Sequence, residues 1–558
     1  MLSRKNDRRI LYAYYGLFVP VMLFLFWKCR FGCAFFDEPL ALVIPYRLCR
    51  GDCLLTQEWH VTQLSAFPLF PAMKLYLSAA GGTEGIVLHF RYLYTAVWGL
   101  AACFFFHRLS RFDRVGAACA SLAFLLYAPF GIMTLDYNSL GILFLLNAGI
   151  LACTQSGNRA SCYVLSGLFL AGAVLCCPYL VLLYALFTLV AIVWHRWKNG
   201  AILRAWLFVS VGCALLLAVF LAFLLSRTSF DEIRRTLPVM LTDPEHPGRN
   251  LFTLVYGYGR ELLLCCRMFV PGMILFSAAL ITALCARRKK AGFVLSCLAF
   301  LLMEVDFLLE EPYLNLLMFP INLPGLYCAI CSCRKEVRLP FFCLWLPGGV
   351  YTFCIHLASN QGFYAIASAS TVMSLASCVM IAVFVREELS TEKKQQMRTV
   401  MLLSMSLLFT FQLTAEAEAR YQLAFNEKGM PYLTQMATSG PEKGIIMSPE
   451  RYEIYMRYEA DVQPIRIQDD IEKVLFFSTA THLYLSAEKD VAAYSSWLSG
   501  VNSKSLDRLE QYYELFPNKR PDAVYLEKKD ECFAEYFYRQ GYQKETLPSG
   551  AFLLRPNQ

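Results

Sequence analysis

Stretches of about 16–23 apolar residues, each long enough to cross a ~30 Å hydrocarbon layer as a helix, recur from Leu11 to Thr414. Lipid offers no partner for backbone polar groups, so a chain patterned this way folds as a bundle of helices that satisfy their own hydrogen bonds. Composition agrees. Of the 558 residues, 57% are hydrophobic and only 17% are charged, against about a quarter in soluble domains. Disordered, collagenous and disulfide-scaffold classes are excluded. Most of the 22 cysteines fall inside apolar runs, as at Cys176-Cys177, where a thiol packs as a small hydrophobe.

The apolar pattern predicts thirteen spans, near 11–28, 89–106, 115–131, 139–154, 162–176, 179–194, 203–225, 265–286, 291–309, 313–332, 339–357, 364–385 and 398–415. The first is followed by Trp27-Lys28-Cys29-Arg30 rather than a small-residue cleavage site, so it is expected to remain as a span. Alternate short loops collect basic residues: Arg4 to Arg9, Arg108 to Arg114, Arg159, Arg196 to Arg204, Arg287 to Lys290, Arg334 to Arg338, and Arg386 to Arg398. The positive-inside rule makes that side, and the N-terminus, cytoplasmic in a cell membrane. Keeping Arg159 and Arg196 on one side requires two crossings between them, which splits 162–194 at Pro178.

The opposite face then receives a first loop of about 29–88, a loop of about 226–264, and everything from about 416 onward. Charge divides at the same place. Residues 1–415 carry 34 Lys and Arg against 21 Asp and Glu, a net +13, and 416–558 carry 17 against 22, a net −5. The C-terminal part alternates short apolar runs (444–447, 474–477, 523–526) with charged stretches such as 450–460 and 505–515. That alternation predicts a small extracytoplasmic α/β domain. The expected plan is therefore a transmembrane domain over 1–415 and a separate domain over 416–558.

Ionisable groups near a bilayer are costly and serve as default site candidates. Asp37-Glu38 stand a few residues beyond the first span, where one carboxylate has the chemistry of a general base and the other can orient a hydroxyl or a metal. Their structural alternative is an acidic turn that stops the helix from sliding into lipid. Asp136 lies in the next loop on that face. Asn138 and Ser139 offer caps of their own for the following helix, so Asp136 is not needed in that role. Arg91 opens the second span, where a guanidinium can grip a phosphate bidentately or reach toward lipid headgroups. Asp52, Glu58, His60 and Lys74, all in the first loop, complete the substrate-binding candidates. His60 has no zinc-like companions. Cys49 and Cys53 are placed either for pairing or for one turn of helix. The 226–264 loop offers Asp231, Glu232, Arg234, Arg235, His246 and Arg249, and Glu304, Asp306, Glu310 and Glu311 gather near the end of another span. Phosphate-cradling glycine loops, dinucleotide fingerprints and His-Glu-x-x-His are absent, which removes support from ATP-driven transport and zinc proteolysis.

These residues resemble a known family. Asp37-Glu38 just after the first span is similar to the acidic motif of the GT-C superfamily of integral membrane glycosyltransferases, especially the protein O-mannosyltransferase and aminoarabinose-transferase branch. The resemblance extends through the proline-rich loop ending at Lys74, through Arg91, and through Asp136-Tyr137-Asn138-Ser139-Leu140. It departs where the family's His-Pro-Pro stretch appears as Phe67-Pro68-Leu69-Phe70-Pro71. Residue-level similarity covers about 30–145, and the thirteen-span plan with a C-terminal domain fits the whole chain. The resemblance implies an inverting transferase that takes a sugar from a polyprenyl-phosphate donor to an extracytoplasmic acceptor, whether glycopolymer, lipid or protein. It implies Asp37 as base, Glu38 as its support, Asp136 as a second acid, and Arg91 with Lys74 against the departing phosphate. A divalent cation serves some relatives and not others. Two other classes fit the spans: a secondary transporter or lipid flippase, and a scaffold presenting the C-terminal domain. Transporters commonly show duplicated halves and broken helices at the midplane, and no internal repeat is visible here.

Overall fold

The computed structural model describes residues 4–154, 160–197, 200–241, 250–310, 314–359, 361–422, 427, 429–498 and 503–557. Arg159, His246, Arg249 and Glu311 lie outside the described residues. Among those described, seven helices are long and apolar enough to cross a membrane: Arg8–Lys28, Ile86–Leu109, Arg114–Gly131, Ala201–Leu225, Lys289–Leu309, Lys335–Ala358 and Gln395–Gln422. Phe363–Ala369 and Thr371–Ser390, bent by 49° at their junction, make an eighth if the pair is one span. Five shorter apolar helices, Tyr137–Cys153, Ala160–Cys176, Pro178–Val193, Val270–Leu284 and Asn322–Cys331, occupy the other expected positions. Each expected span meets an apolar helix, yet fewer than thirteen are full crossings by length.

The breaks have local causes. Pro178 has no amide hydrogen to continue the helix ending at Cys176, and a single 3₁₀ turn, Pro178–Leu180, separates it from Val181–Trp197. The expected span at 313–332 is interrupted at Pro320, so that Leu314–Leu317 and Asn322–Cys331 are separate helices. Asp113 caps Arg114–Leu126 by accepting from the Val115 and Gly116 amides, and its other oxygen takes Arg386 at 3.0 Å. The expected loop at 226–264 is largely helical: Phe230–Met240 is capped by Ser229, and Leu251–Met268 follows.

The last long helix runs to Gln422, and a small sheet domain follows. A two-stranded ribbon joins β1 (Gln435–Met436) to β2 (Ile446–Met447). The main sheet contains β3 (Lys473–Phe477), β4 (Asp490–Val491), β5 (Ala523–Leu526), β6 (Tyr542–Thr546) and β7 (Phe552–Pro556), in the order β4-β3-β5-β7-β6. β3 runs parallel to both neighbours, with Val474 opposite Ala523, and β7 is antiparallel to β5 and β6. β3 and β5 are buried along almost their whole length, as the continuous apolar runs Val474-Leu475-Phe476-Phe477 and Ala523-Val524-Tyr525-Leu526 require. The α/β expectation for this region holds.

The first loop belongs to the same core. Its helices Asp37–Cys49 and Phe70–Ala80 bury Leu42, Val43, Tyr46 and Met73 in one cluster with Leu475, Phe476, Tyr484 and Tyr512 of the sheet domain. Backbone bonds stitch the two together: Gly32 N donates to Ile446 O at 2.9 Å, Ile446 N to Arg30 O at 2.6 Å, and Trp59 N to Tyr494 O at 2.7 Å.

Candidate active site

Helix Asp37–Cys49 starts directly on the two acids, which sit in its first turn where the helix dipole favours negative charge. One residue apart on a helix, they face different ways. Glu38 is 1% exposed and takes Arg91 bidentately, at 2.7 Å from Nε and 2.5 Å from Nη2, with Thr134 Oγ1 donating at 3.3 Å. Asp37 is exposed to solvent, but protein crowds it from the sides. An acid that is both accessible and surrounded can meet a substrate while losing part of its own hydration. Lost hydration, and then the charge of Asp136, push its carboxyl up to about 6.

Asp136 stands at the base of helix Tyr137–Cys153. Contrary to the sequence expectation, it is the cap: its carboxylate accepts from Ser139 N at 2.8 Å and Asn138 Nδ2 at 3.2 Å, while its own amide donates to Ser139 Oγ at 2.8 Å. That reciprocal box fixes the second acid in place. Burial raises its pKa, and the bonds from Ser139 and Asn138 oppose the rise. Two acids of unequal exposure thus meet at one locus.

Arg91 does not present a free guanidinium. Besides Glu38 it donates to Cys29 O at 2.9 Å, Phe31 O at 3.3 Å and Gly32 O at 2.9 Å, and it is 1% exposed. The phosphate role expected of it has no open face. Asp52 and Glu58 are likewise consumed: Arg47 takes Asp52 at 2.7 Å and Glu58 at 2.6 Å, and Lys519 of the sheet domain pairs with Asp52 as well. Arg47 also donates to Ala493 O at 2.8 Å, so these groups lock the loop to the domain instead of facing a substrate. His60 bonds Thr62 Oγ1 at 2.7 Å within its own turn. Lys74 is exposed on helix Phe70–Ala80, near Cys49 and Arg227. Arg227, which the sequence did not single out, lies over Phe70 and Phe223 and donates to Leu48 O at 2.7 Å. Cys49 and Cys53 are both free thiols. Asp231, Arg234 and Arg235 are solvent-exposed on helix Phe230–Met240.

Two cations that sequence reasoning passed over sit beside Arg91. Lys28, 1% exposed at the end of the first span, donates to Tyr421 O at 2.9 Å. Arg420, 4% exposed on the last long helix, has an Nε without a hydrogen-bond partner. Both feel the charge of Arg91, and Arg420 that of Glu38. Glu442 of the sheet domain also approaches Arg91, but burial pushes it up to about 8, and neither of its oxygens has a partner. The locus gathers the basic side chains of Lys28, Arg91 and Arg420 around the single paired carboxylate of Glu38, closed off from bulk water. Such a site favours an anion. The spacing Gln412, Glu416, Arg420 on one helix face was the available signal for it. Among the described residues no three His, Cys, Asp or Glu side chains group as metal ligands.

No family model matches the chain, and no curated protein does. Solved structures are similar over nearly its whole length. One is the archaeal oligosaccharyltransferase AglB from Archaeoglobus fulgidus in complex with an inhibitory peptide and a dolichol-phosphate: 11% identity, 98% of this chain and 74% of that one, TM-score 0.43. Another is ArnT from Cupriavidus metallidurans bound to undecaprenyl phosphate: 14% identity, 97% of this chain and 98% of that one, TM-score 0.43.

Proposed function

We propose that this protein is a membrane glycosyltransferase that moves a sugar from a polyprenyl-phosphate donor to an acceptor on the side of the sheet domain, the extracytoplasmic side, with inversion. The observation that carries the reading is Asp37 itself, an accessible acid whose pKa is raised to about 6 beside the fixed Asp136, with the basic groups Lys28 and Arg420 around the neighbouring pair of Glu38 and Arg91. The Asp37-Glu38 motif, which resembles that of GT-C enzymes, supports the same donor class.

In this mechanism Asp37 accepts the proton of the acceptor hydroxyl as its oxygen attacks the anomeric carbon. The bond from that carbon to the phosphate oxygen breaks, and its electron pair leaves with the polyprenyl phosphate. Developing charge on the leaving group is met by positive side chains already in place, which need no reorganisation during reaction. Arg420, whose Nε has no hydrogen-bond partner, takes that role here. Arg91 acts at one remove by holding Glu38 and the backbone of 29–32. A retaining glycosidase would instead require one of its paired acids to attack carbon, whereas Asp136 is turned to the amides of its own helix.

The test is sugar release from a panel of radiolabelled polyprenyl-phosphate sugars by purified wild type and Asp37→Asn. Release by wild type alone supports the assignment; equal release by a folded Asp37→Asn protein removes it. The transporter reading is favoured by one observation, the acid pair Glu304 and Glu416 inside the bundle. Substrate flux in proteoliposomes with no covalent product would favour that reading instead.

A further inference from the structure

Two acids lie inside the helical bundle, where the transfer chemistry does not use them. Glu304 is on helix Lys289–Glu310 and Glu416 on helix Gln395–Gln422, and both are completely buried. Each is six residues short of its helix end, about 9 Å along the axis at 1.5 Å per residue. The two helices pack against each other, and the carboxyls are close enough for their charges to interact.

Gln412 completes the cluster one turn below Glu416, and it too is fully buried. Its Nε2 donates to Glu416 Oε1 at 2.6 Å and to Leu317 O at 2.8 Å. Leu317 O accepts only, so the amide orientation is fixed and Gln412 Oε1 is left free to accept. That oxygen has no donor. Neither has Glu416 Oε2, nor either oxygen of Glu304. Among the described residues no Lys, Arg or His is paired with either acid.

Four unpartnered acceptors on three buried side chains, two of them carboxylates, form a donor set of oxygen alone. Buried polar groups are normally satisfied, and buried charges are paired or coordinate metals. Oxygen-only sets of this kind select hard cations over zinc or copper. We propose that Glu304, Glu416 and Gln412 bind a hard metal cation inside the bundle, apart from Asp37. The cation neutralises both acids and fastens the last long helix, which carries Arg420 one turn further along, to its neighbour. The site does not depend on the transfer reaction and would stand if that reading failed.

The experiment uses the full-length protein in detergent, stripped with chelator and dialysed into choline chloride. Its melting is then followed with Ca2+, Mg2+ or Na+ at matched ionic strength. We expect one of these cations to raise the melting temperature saturably by a few degrees, as a ligand of the native state does. Glu304→Gln and Glu416→Gln should each abolish the response, and Asp37→Asn should keep it. Identical melting in every salt overturns the proposal, as does a response that survives both glutamine variants or disappears in Asp37→Asn. Glutamine variants that melt above a cation-insensitive wild type would mean that protons alone neutralise the acids, which also overturns it. If a glutamine variant does not fold, Gln412→Leu keeps both carboxyls and removes the amide oxygen. Its half-saturating cation concentration should rise at least tenfold, and an unchanged value overturns the proposal.

Discussion

Asp37 and Glu38 are adjacent in the chain and opposite in environment, and this decides what each substitution should do. Asp37→Asn keeps the fold, because its side chain is exposed to solvent, and should lower transfer by about 10²–10⁴-fold, the range for losing a positioned base. A base must be ionised. With its pKa raised to about 6, wild-type activity should be half-maximal near pH 6, level above it, and fall tenfold per unit below. A rate profile flat to pH 4.5 would contradict the assignment. Arg91→Ala strands Glu38 in a buried site and should cost about 3–5 kcal/mol of stability, seen as a lowered melting temperature. Arg420→Ala strands no paired carboxylate, so it should destabilise less than Arg91→Ala, and it should raise the KM for donor by about tenfold or more, the scale of a lost charge-assisted bond. Ionisable residues at the membrane edge, read together with the resemblance to the GT-C acidic motif, made Asp37, Glu38, Asp136 and Arg91 visible as a group. They did not reveal that Arg91 and Glu38 consume each other, because a sequence does not say which face of a helix meets which neighbour. Arg420 was hidden by a boundary drawn at 415, five residues before it, where the helix in fact continues.

Helix Ala160–Cys176 and helix Ala201–Leu225 cross through reciprocal glycines. A Cβ on Gly167 would strike the carbonyl of Val209, and one on Gly212 would strike the carbonyl of Val164. Lipid provides no hydrophobic drive between helices, so backbone approach of this kind is what holds them. Gly167→Ala or Gly212→Ala should therefore destabilise by about 1–3 kcal/mol, the cost of overpacking. Gly349→Ala, in a helix with open space around it, should be neutral or stabilising by about 0.5–1 kcal/mol. Thermal melting of the three variants in one detergent checks the contrast. Apolar helices were legible from run length because lipid demands them. Their true extents were less so: the break at Pro178 is legible from loop charge parity, but Pro320 also interrupts an apolar run, and hydropathy does not register that. The helix Phe230–Met240 was missed although Ser229 followed by Asp231 and Glu232 is a helix-start pattern.

At the scale of the whole molecule, the first loop and the sheet domain share one hydrophobic core, although about 400 residues separate them in the chain. A protein truncated after Gln422 loses most of that core and leaves Arg47, Asp52 and Glu58 without Lys519 and Ala493 O. It should lose cooperative unfolding and all transfer activity even though Asp37 is retained, and proteolysis should cut first within 29–88. If the truncated protein protects 29–88 as well as the full chain does, the shared core is not what orders the loop. The same arrangement imposes an order on biogenesis. Ribosomes deliver the loop well before its partner: Arg47 waits 446 residues for Ala493, about 20–90 s at 5–20 residues per second. Until then the segment bearing Asp37 has only the membrane helices to pack on and lacks the sheet-domain side of its core, so a product stalled or clipped before the sheet domain should be incompletely folded and exposed to quality control.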